Sequence, residues 1–240
     1  MTSQQRRAAL EAIAAEVSVC TRCRLAQGRT RAVPGEGSPD TEVVFVGEGP
    51  GQHEDRQGRP FVGAAGNLLE ELLNMIGWQR GDVFITNVVK CRPPNNRDPE
   101  PDEIAACAPF LRRQLEVLDP ALLVTLGRFS LQTFMPGDRI SRVHGTERPI
   151  DRATGARDAT GYALYHPAAA LRQGSLKETM QRDMAAIPEV LIRARAARAA
   201  ARTDEPAETA SAGDGTTTAA PIEPLEDETM PPRDDQYGFF

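Results

Sequence analysis

The sequence predicts an α/β fold: a three-layer α/β/α sandwich with a central, mostly parallel four-stranded sheet, followed by a disordered C-terminal tail. Three observations predict it. Four short apolar runs, at 43–46, 82–89, 121–126 and 162–165, alternate with helical patterns, as in a parallel sheet covered on both faces. Each run stops at a turn or polar residue, which puts Glu48, Asn87, Gly127 and His166 along one sheet edge. Beyond residue 202 the chain turns rich in Thr, Ala, Pro and Glu and poor in large apolar residues, a composition that favours disorder. A folded domain at 1–202 and an acidic tail at 203–240 are therefore expected.

In chain order, residues 4–17 have high helix propensity, with Leu10, Ile13, Ala14 and Val17 on one face. This helix runs into Cys20-Thr21-Arg22-Cys23. Residues 28–40 hold Gly28, Pro34, Gly35, Gly37 and Pro39 and read as loop. After the first strand comes Gly47-Glu48-Gly49-Pro50-Gly51, where glycines and a proline forbid either helix or strand to continue. Glu54 and Asp55 follow, then an apolar island Pro60-Phe61-Val62-Gly63, then an amphipathic helix at 66–76. A strand ending in a glycine-rich turn that carries carboxylates is how α/β proteins build sites. The turn is not a dinucleotide fingerprint, because the third glycine and the helix start are missing at the required spacing.

The second strand closes on Asn87 and feeds a proline-rich loop at 90–99. A helix at 101–117 carries Cys107, and the third strand is followed at Gly127 by another helix. Residues 136–160 read as irregular with a hairpin. The fourth strand ends on His166-Pro167, and 175–202 is helical, interrupted by Pro188.

Composition narrows the class. No stretch approaches the roughly 18 apolar residues of a membrane helix, and the N-terminus lacks a signal-peptide core, so a soluble, intracellular (cytoplasmic) protein is expected. The net charge of −6 comes from the tail, where ten acids face only Arg233. Residues 1–202 carry 27 Lys and Arg against 24 Asp and Glu, a net +3, which permits a polyanionic partner. Aromatic residues make up only 5%, so Phe61 between glycines in a polar loop is informative.

Four cysteines stand at 20, 23, 91 and 107, spaced C-x2-C, then 67 residues, then C-x15-C. An intracellular protein seldom uses such residues as disulfides. Cys20 and Cys23 form a chelating pair, and Cys91 lies in a loop whose prolines restrict its direction. Four thiolates suit structural zinc or a [4Fe–4S] cluster, and spacing does not separate the two.

Val-Gly-Glu-Gly-Pro-Gly at 46–51, Glu-Asp-Arg-Gln-Gly-Arg-Pro-Phe-Val-Gly at 54–63, Thr-Asn-Val-Val-Lys-Cys-Arg-Pro-Pro at 86–94 and His-Pro-Ala-Ala-Ala-Leu at 166–171 resemble the family 4 uracil-DNA glycosylases. That is the iron–sulfur branch of its superfamily, and the likeness spans residues 8–190. It implies an α/β/α fold, a structural [4Fe–4S] cluster on Cys20, Cys23, Cys91 and Cys107, and excision of uracil from DNA with no cofactor for the chemistry. Gly49 stands where the family often has alanine or threonine. A related branch that links covalently to DNA carries a His-containing insertion after the Asn strand; residues 92–99 have no histidine, so covalent capture is not expected.

On this resemblance the site residues acquire roles. Cleavage leaves a deoxyribose oxocarbenium cation and a uracil anion, so the protein must extrude the base, read its edge and stabilise charge on O2. Phe61 suits a stacking platform. Asn87 can offer its amide to uracil O4 and N3–H, which cytosine reverses. His166 is placed to donate to O2. Glu48 is the expected water-orienting acid, with Glu54 and Asp55 as competitors, and backbone N–H groups at Gly49 and its neighbours can bind the base. Leu171 resembles a wedge that fills the gap of a flipped base, and Arg172, Lys90 and Arg92 are candidates for phosphate contacts. A non-catalytic metal-stabilised DNA-binding protein and a glycosylase for another deaminated base, such as hypoxanthine, are the alternatives.

The chain finishes Asp234-Asp235-Gln236-Tyr237-Gly238-Phe239-Phe240. Terminal phenylalanines on an acidic tether need a partner to cover them. Gln236, Phe239 and Phe240 resemble the motif by which repair enzymes dock on replication sliding clamps, and the acids before a terminal Phe resemble the tail of bacterial single-strand-binding proteins. A monomer bound to uracil-containing DNA is the expected working unit.

Overall fold

Val43, Val44, Phe45 and Val46 are all buried, as a strand covered on both faces requires. The structure, a computed structural model, describes residues 1–203. Its strands are β1 (Glu36–Gly37), β2 (Val43–Gly47), β3 (Phe84–Asn87), β4 (Leu122–Leu126), β5 (Glu147–Arg148) and β6 (Thr160–Leu164), in the sheet order β1-β3-β2-β4-β6-β5. The four inner strands β3, β2, β4 and β6 run parallel, and β1 and β5 pair antiparallel at the edges. The sheet thus has six strands rather than the four expected. The two extra strands are two residues each, too short to leave an alternation pattern; β5 pairs with β6, the expected fourth strand, so the hairpin expected within 136–160 is not formed there.

The pleat sends successive side chains to opposite faces. Val44, Val46, Leu123 and Ala163 meet one helical layer: α1 (Ser3–Val19), α5 (Pro101–Leu118) and α6 (Arg128–Phe134), through Ile13, Val17, Phe110, Leu111, Leu115 and Phe134. Val43, Phe45, Leu122, Val124, Tyr162 and Leu164 meet the other, from α4 (Ala64–Met75), α9 (Ser175–Ala185) and α10 (Ile187–Thr203), through Leu69, Leu72, Met180, Met184 and Val190. The helical stretch expected at 175–202 is two helices. Pro188, which cannot donate to a preceding turn, sits in the first turn of α10, where no partner is needed.

Short helices complete the strand connections: α2 (Leu25–Gly28), α3 (Gln52–Gln57), α7 (Ile140–Val143) and α8 (Pro167–Arg172). The acids Glu54 and Asp55, expected in open loop, lie in the first turn of α3, where carboxylates favour the helix N-terminus. Among the described residues no helix is long and apolar enough to cross a membrane. The tail motif at 236–240 lies outside the described residues.

Candidate active site and cysteine cavity

Parallel strands deliver their carboxyl ends to one edge, and three of the residues expected there, Glu48, Asn87 and His166, converge. A cavity of about 220 Å³ is lined by Glu48, Gly49, Glu54, Phe61, Asn87 and His166, with Arg172 at its border. That is below the ~300–1,000 Å³ of drug-sized ligand sites and suits one heterocyclic base. A larger groove of about 580 Å³ runs along α5, but its charges are already paired, Arg112 with Glu116 and Arg113 with Glu16.

Close backbone approach makes the cavity. A Cβ on Gly47 would lie 2.4 Å from Asn87 Oδ1 and 2.6 Å from Phe61 Cζ, so only glycine lets the amide and ring meet there. Phe61 itself has φ 51°, a left-handed conformation that costs a non-glycine residue roughly 1–2 kcal/mol. Three supports hold it. Arg80 Nη1 donates to the Phe61 carbonyl at 2.9 Å, Arg80 Nη2 donates to that of Pro60 at 2.7 Å, and the following helix passes so close that a Cβ on Gly66 would lie 1.9 Å from the Phe61 oxygen. The third is Glu54. Its Oε1 accepts from the backbone N–H of Val62 and Gly63, both at 2.9 Å, and its Oε2 from that of Gly51 at 3.1 Å. Both oxygens are thereby committed to shaping the loop, which makes Glu54 a positioning residue rather than the water-activating acid it competed to be. Asp55 is buried and accepts from the Thr30 N–H at 2.9 Å, so it too is structural.

His166 caps α8, and its Nδ1 accepts from the Ala168 N–H at 3.1 Å. An accepting Nδ1 leaves the proton on Nε2. Burial, helped by the nearby Arg172 charge, pushes the imidazole down to about 4, so it is neutral at physiological pH. Its ring lies 5.7 Å from that of Phe61, centroid to centroid. Gly127 at φ 87° allows this, since a Cβ there would sit 2.8 Å from His166 Cβ. Asn87 is 1% exposed, and its Oδ1 has no hydrogen-bond partner among the described residues. Glu48 is half-buried; burial and then Asp98 push its carboxyl up to about 7, against a smaller opposing pull from Arg128.

Three candidates for phosphate contacts fare differently. Arg172 is exposed beside the cavity, and Leu171 next to it is 53% exposed, as a wedge would be. Arg92 is half-buried and donates to Asn96 Oδ1 at 2.7 Å. Lys90 is 1% exposed and cannot reach DNA; that assignment is corrected. Its ammonium points inward because three protein oxygens wait for it there, a placement no sequence pattern reveals. Sequence reasoning missed Asn96 and Arg97, which also line the cavity. Asn95 and Asn96 are consecutive left-handed residues (φ 55° and 52°), which asparagine tolerates better than most, and the Asn-Asn pair was the available signal. Arg97 is anchored on buried Glu103, whose carboxyl is drawn down to about 2, chiefly by that arginine.

The cysteines also converge. α1 ends at Cys20 and packs beside α5, which carries Cys107; all four cysteines line one small cavity with Arg29 and Lys90. Arg29 Nη1 donates to Cys91 Sγ at 3.0 Å and the Lys90 N–H to Cys107 Sγ at 3.2 Å. Among the described residues no three His, Cys, Asp or Glu side chains close tightly enough to hold a single metal ion.

The carboxyl edge of a doubly covered parallel sheet thus brings the Phe61 ring, the unsatisfied Asn87 amide oxygen and the neutral His166 imidazole around one cavity of a planar base's size. A family model described as the uracil DNA glycosylase superfamily matches residues 34–187. The chain is 48% identical over 189 residues to a type-4 uracil-DNA glycosylase of Sulfurisphaera tokodaii, covering 76% of this chain and 85% of that protein. It is 46% identical over 186 residues to one from Archaeoglobus fulgidus, covering 75% and 92%. A Thermotoga maritima type-4 enzyme matches at 48% over 166 residues, 69% and 85%. The chain belongs to the uracil-DNA glycosylase superfamily, in its type-4 branch.

Proposed function

We propose that this protein is a monofunctional uracil-DNA glycosylase of base-excision repair, which takes uracil out of the DNA stack and hydrolyses its N-glycosidic bond. One observation carries the reading: a buried amide oxygen without a partner, Asn87 Oδ1, in a base-sized cavity beside Phe61 and His166. Leaving such an acceptor unpaired costs ~1–3 kcal/mol, which a ligand N–H recovers. Uracil N3–H supplies that donor, and the Asn87 amide N–H donates to O4. Cytosine has an acceptor at N3 and a donor at C4, so both contacts fail. Phe61 stacks on the base. As the C1′–N1 bond breaks, its electron pair leaves with uracil, and His166 Nε2–H donates to the charge gathering on O2. Ionised Glu48 orients water toward C1′ and takes its proton. The products are an abasic site and uracil, which leaves as the anion and takes up a proton from water on release, while Glu48 returns to solvent the proton it took.

A labelled single-uracil oligonucleotide, incubated with the chain and then treated with alkali, tests this. A cut at uracil, absent with thymine, is expected. Asn87→Asp is expected to lower the preference for uracil over cytosine by ~10-fold or more. A strand left intact sinks the enzymatic reading in favour of a DNA-binding module, and a cut confined to a hypoxanthine strand favours another base.

Four thiols around one small cavity suit a [4Fe–4S] cluster, and the type-4 resemblance favours it over zinc. A cluster takes one thiolate at each of four corners and collects N–H···S bonds of the kind made by Arg29 and Lys90. Held by Cys20, Cys23, Cys91 and Cys107, it would supply structure, tying the end of α1 to α5 and to the loop after β3. The aerobically or anaerobically purified chain is expected to contain iron and acid-labile sulfide, and Cys107→Ser to lose both along with thermal stability. Stoichiometric zinc in their place would refute the assignment.

The inferred partners are uracil-containing DNA and, through Gln236, Phe239 and Phe240, a replication sliding clamp, with the enzyme acting as a cytoplasmic monomer. Deleting residues 234–240 is expected to abolish clamp binding in a pull-down while leaving excision from short oligonucleotides intact. Unchanged clamp affinity after the deletion disposes of the idea, and transfer of the effect to a single-strand-binding protein's partners redirects it.

A further inference from the structure

Lys90 has no place in the chemistry above, yet it is among the most completely buried large side chains of the protein. Its ammonium has three N–H donors and three oxygens in range: Thr86 Oγ1 at 2.5 Å, Gln114 Oε1 at 2.7 Å and the backbone carbonyl of Asn87 at 2.9 Å. Two of these acceptors are themselves fixed. Thr86 Oγ1 donates to the Pro34 carbonyl at 2.9 Å, and Gln114 Nε2 donates to the same oxygen at 2.7 Å. The network joins the end of β3, the loop before β1 and the helix α5. Lys90's own backbone extends it, since its carbonyl accepts from the Val33 N–H at 2.7 Å and its N–H donates to Cys107 Sγ at 3.2 Å.

We propose that Lys90 is a positioning residue for base recognition: its buried ammonium holds the Asn87 peptide so that the Asn87 amide faces the base. The strand end needs such a hold. Beyond Asn87, the last residue of β3, the Val88 and Val89 N–H groups donate to the Gly47 and Glu48 carbonyls at 2.9 and 3.1 Å. The Asn87 side-chain oxygen has no protein partner to aim it, so the orientation of its backbone sets where the amide points. An ammonium reaching back three residues to the Asn87 carbonyl closes that freedom from below, while Gly47 and Phe61 close it from the cavity side. A buried polar head is expensive unless its donors are satisfied, and here three oxygens lie within 2.9 Å of Nζ. A methionine of similar volume would leave the Gln114 and Asn87 oxygens without this donor, so lysine answers the polar network and not merely the space.

The proposal rests on the uracil-excision reading, and the test separates the two. Wild type, Lys90→Met, Asn87→Ala and the double variant are compared in single-turnover excision of a single-uracil oligonucleotide at saturating enzyme, with binding to abasic-site DNA measured in parallel. Lys90→Met is expected to slow excision by ~10–100-fold, the loss that follows a misplacement of about an ångström, with abasic-site affinity within about 2-fold of wild type. In the Asn87→Ala background the same change is expected to cost less than about 2-fold, because the amide it aims is gone. Wild-type rates for Lys90→Met, or an equal loss with and without Asn87, overturns the proposal. Should Lys90→Met fail to fold, Thr86→Val decides: a loss of ~3-fold that vanishes in the Asn87→Ala background supports it, and no loss, or one that persists, refutes it. An inactive wild type would instead overturn the excision reading itself.

Discussion

Replacing His166 by alanine is expected to slow uracil excision by ~10²–10³-fold, the cost of removing one preorganised donor from a developing anion. The geometry makes the imidazole such a donor. The Ala168 N–H occupies Nδ1 and leaves the proton on Nε2, and burial with Arg172 pushes the ring down to about 4. Above pH ~5 it stays neutral, so His166 should add no pH dependence to the rate between about 5 and 9. Single-turnover kinetics of His166→Ala across that pH range check both statements. A rate within a few-fold of wild type would place the O2 donor elsewhere, with the backbone of the 49–51 turn next in line.

Glu48→Gln is expected to lower the rate by ~10²-fold or more, within the range of general acid–base catalysis, and to flatten the pH profile. The carboxyl is pushed up to about 7 by burial and by Asp98, with Arg128 opposing. Only the ionised form accepts a proton from water, so the wild-type rate should fall about tenfold per pH unit below about 7 and level off above it. Stability runs the other way. A carboxyl whose folded pKa exceeds its unfolded value contributes stability that is complete below about 4.5 and lost as pH rises through about 7. Glu48→Gln should therefore match wild type at pH 4 and exceed it at pH 8, by about 1–2 kcal/mol once solvent screening of this half-buried group is allowed for. Paired denaturant curves at the two pH values give the answer. A variant no more stable at pH 8 would show that the active-site carboxylate is not held at a cost.

Glu54 and Lys90 illustrate where residue-level reading stops. Both are charged, both lie in the motifs that identify the family, and both were expected to meet substrate. The fold instead turns Glu54 onto three backbone N–H groups and Lys90 into the interior, because each finds unpaired polar atoms there from distant parts of the chain. Asn96 and Arg97 show the converse, entering the cavity wall through a loop conformation and the Glu103 anchor rather than through any periodic signal.

The amino-acid pattern made legible the parallel sheet, its strand ends and the meeting of Glu48, Asn87 and His166 at one edge. Hydrophobic period and turn residues act locally, and a parallel sheet puts every strand's carboxyl end on the same side. It also marked the four cysteines as a set. Only the tertiary structure decided the two edge strands, the neutral state and proton position of His166, the unsatisfied oxygen of Asn87 and the inward turn of Lys90. Those properties depend on what surrounds each group in space: desolvation, hydrogen-bond partners and excluded volume come from residues far apart in the chain, such as Pro34, Gln114 and Asn87 around one ammonium.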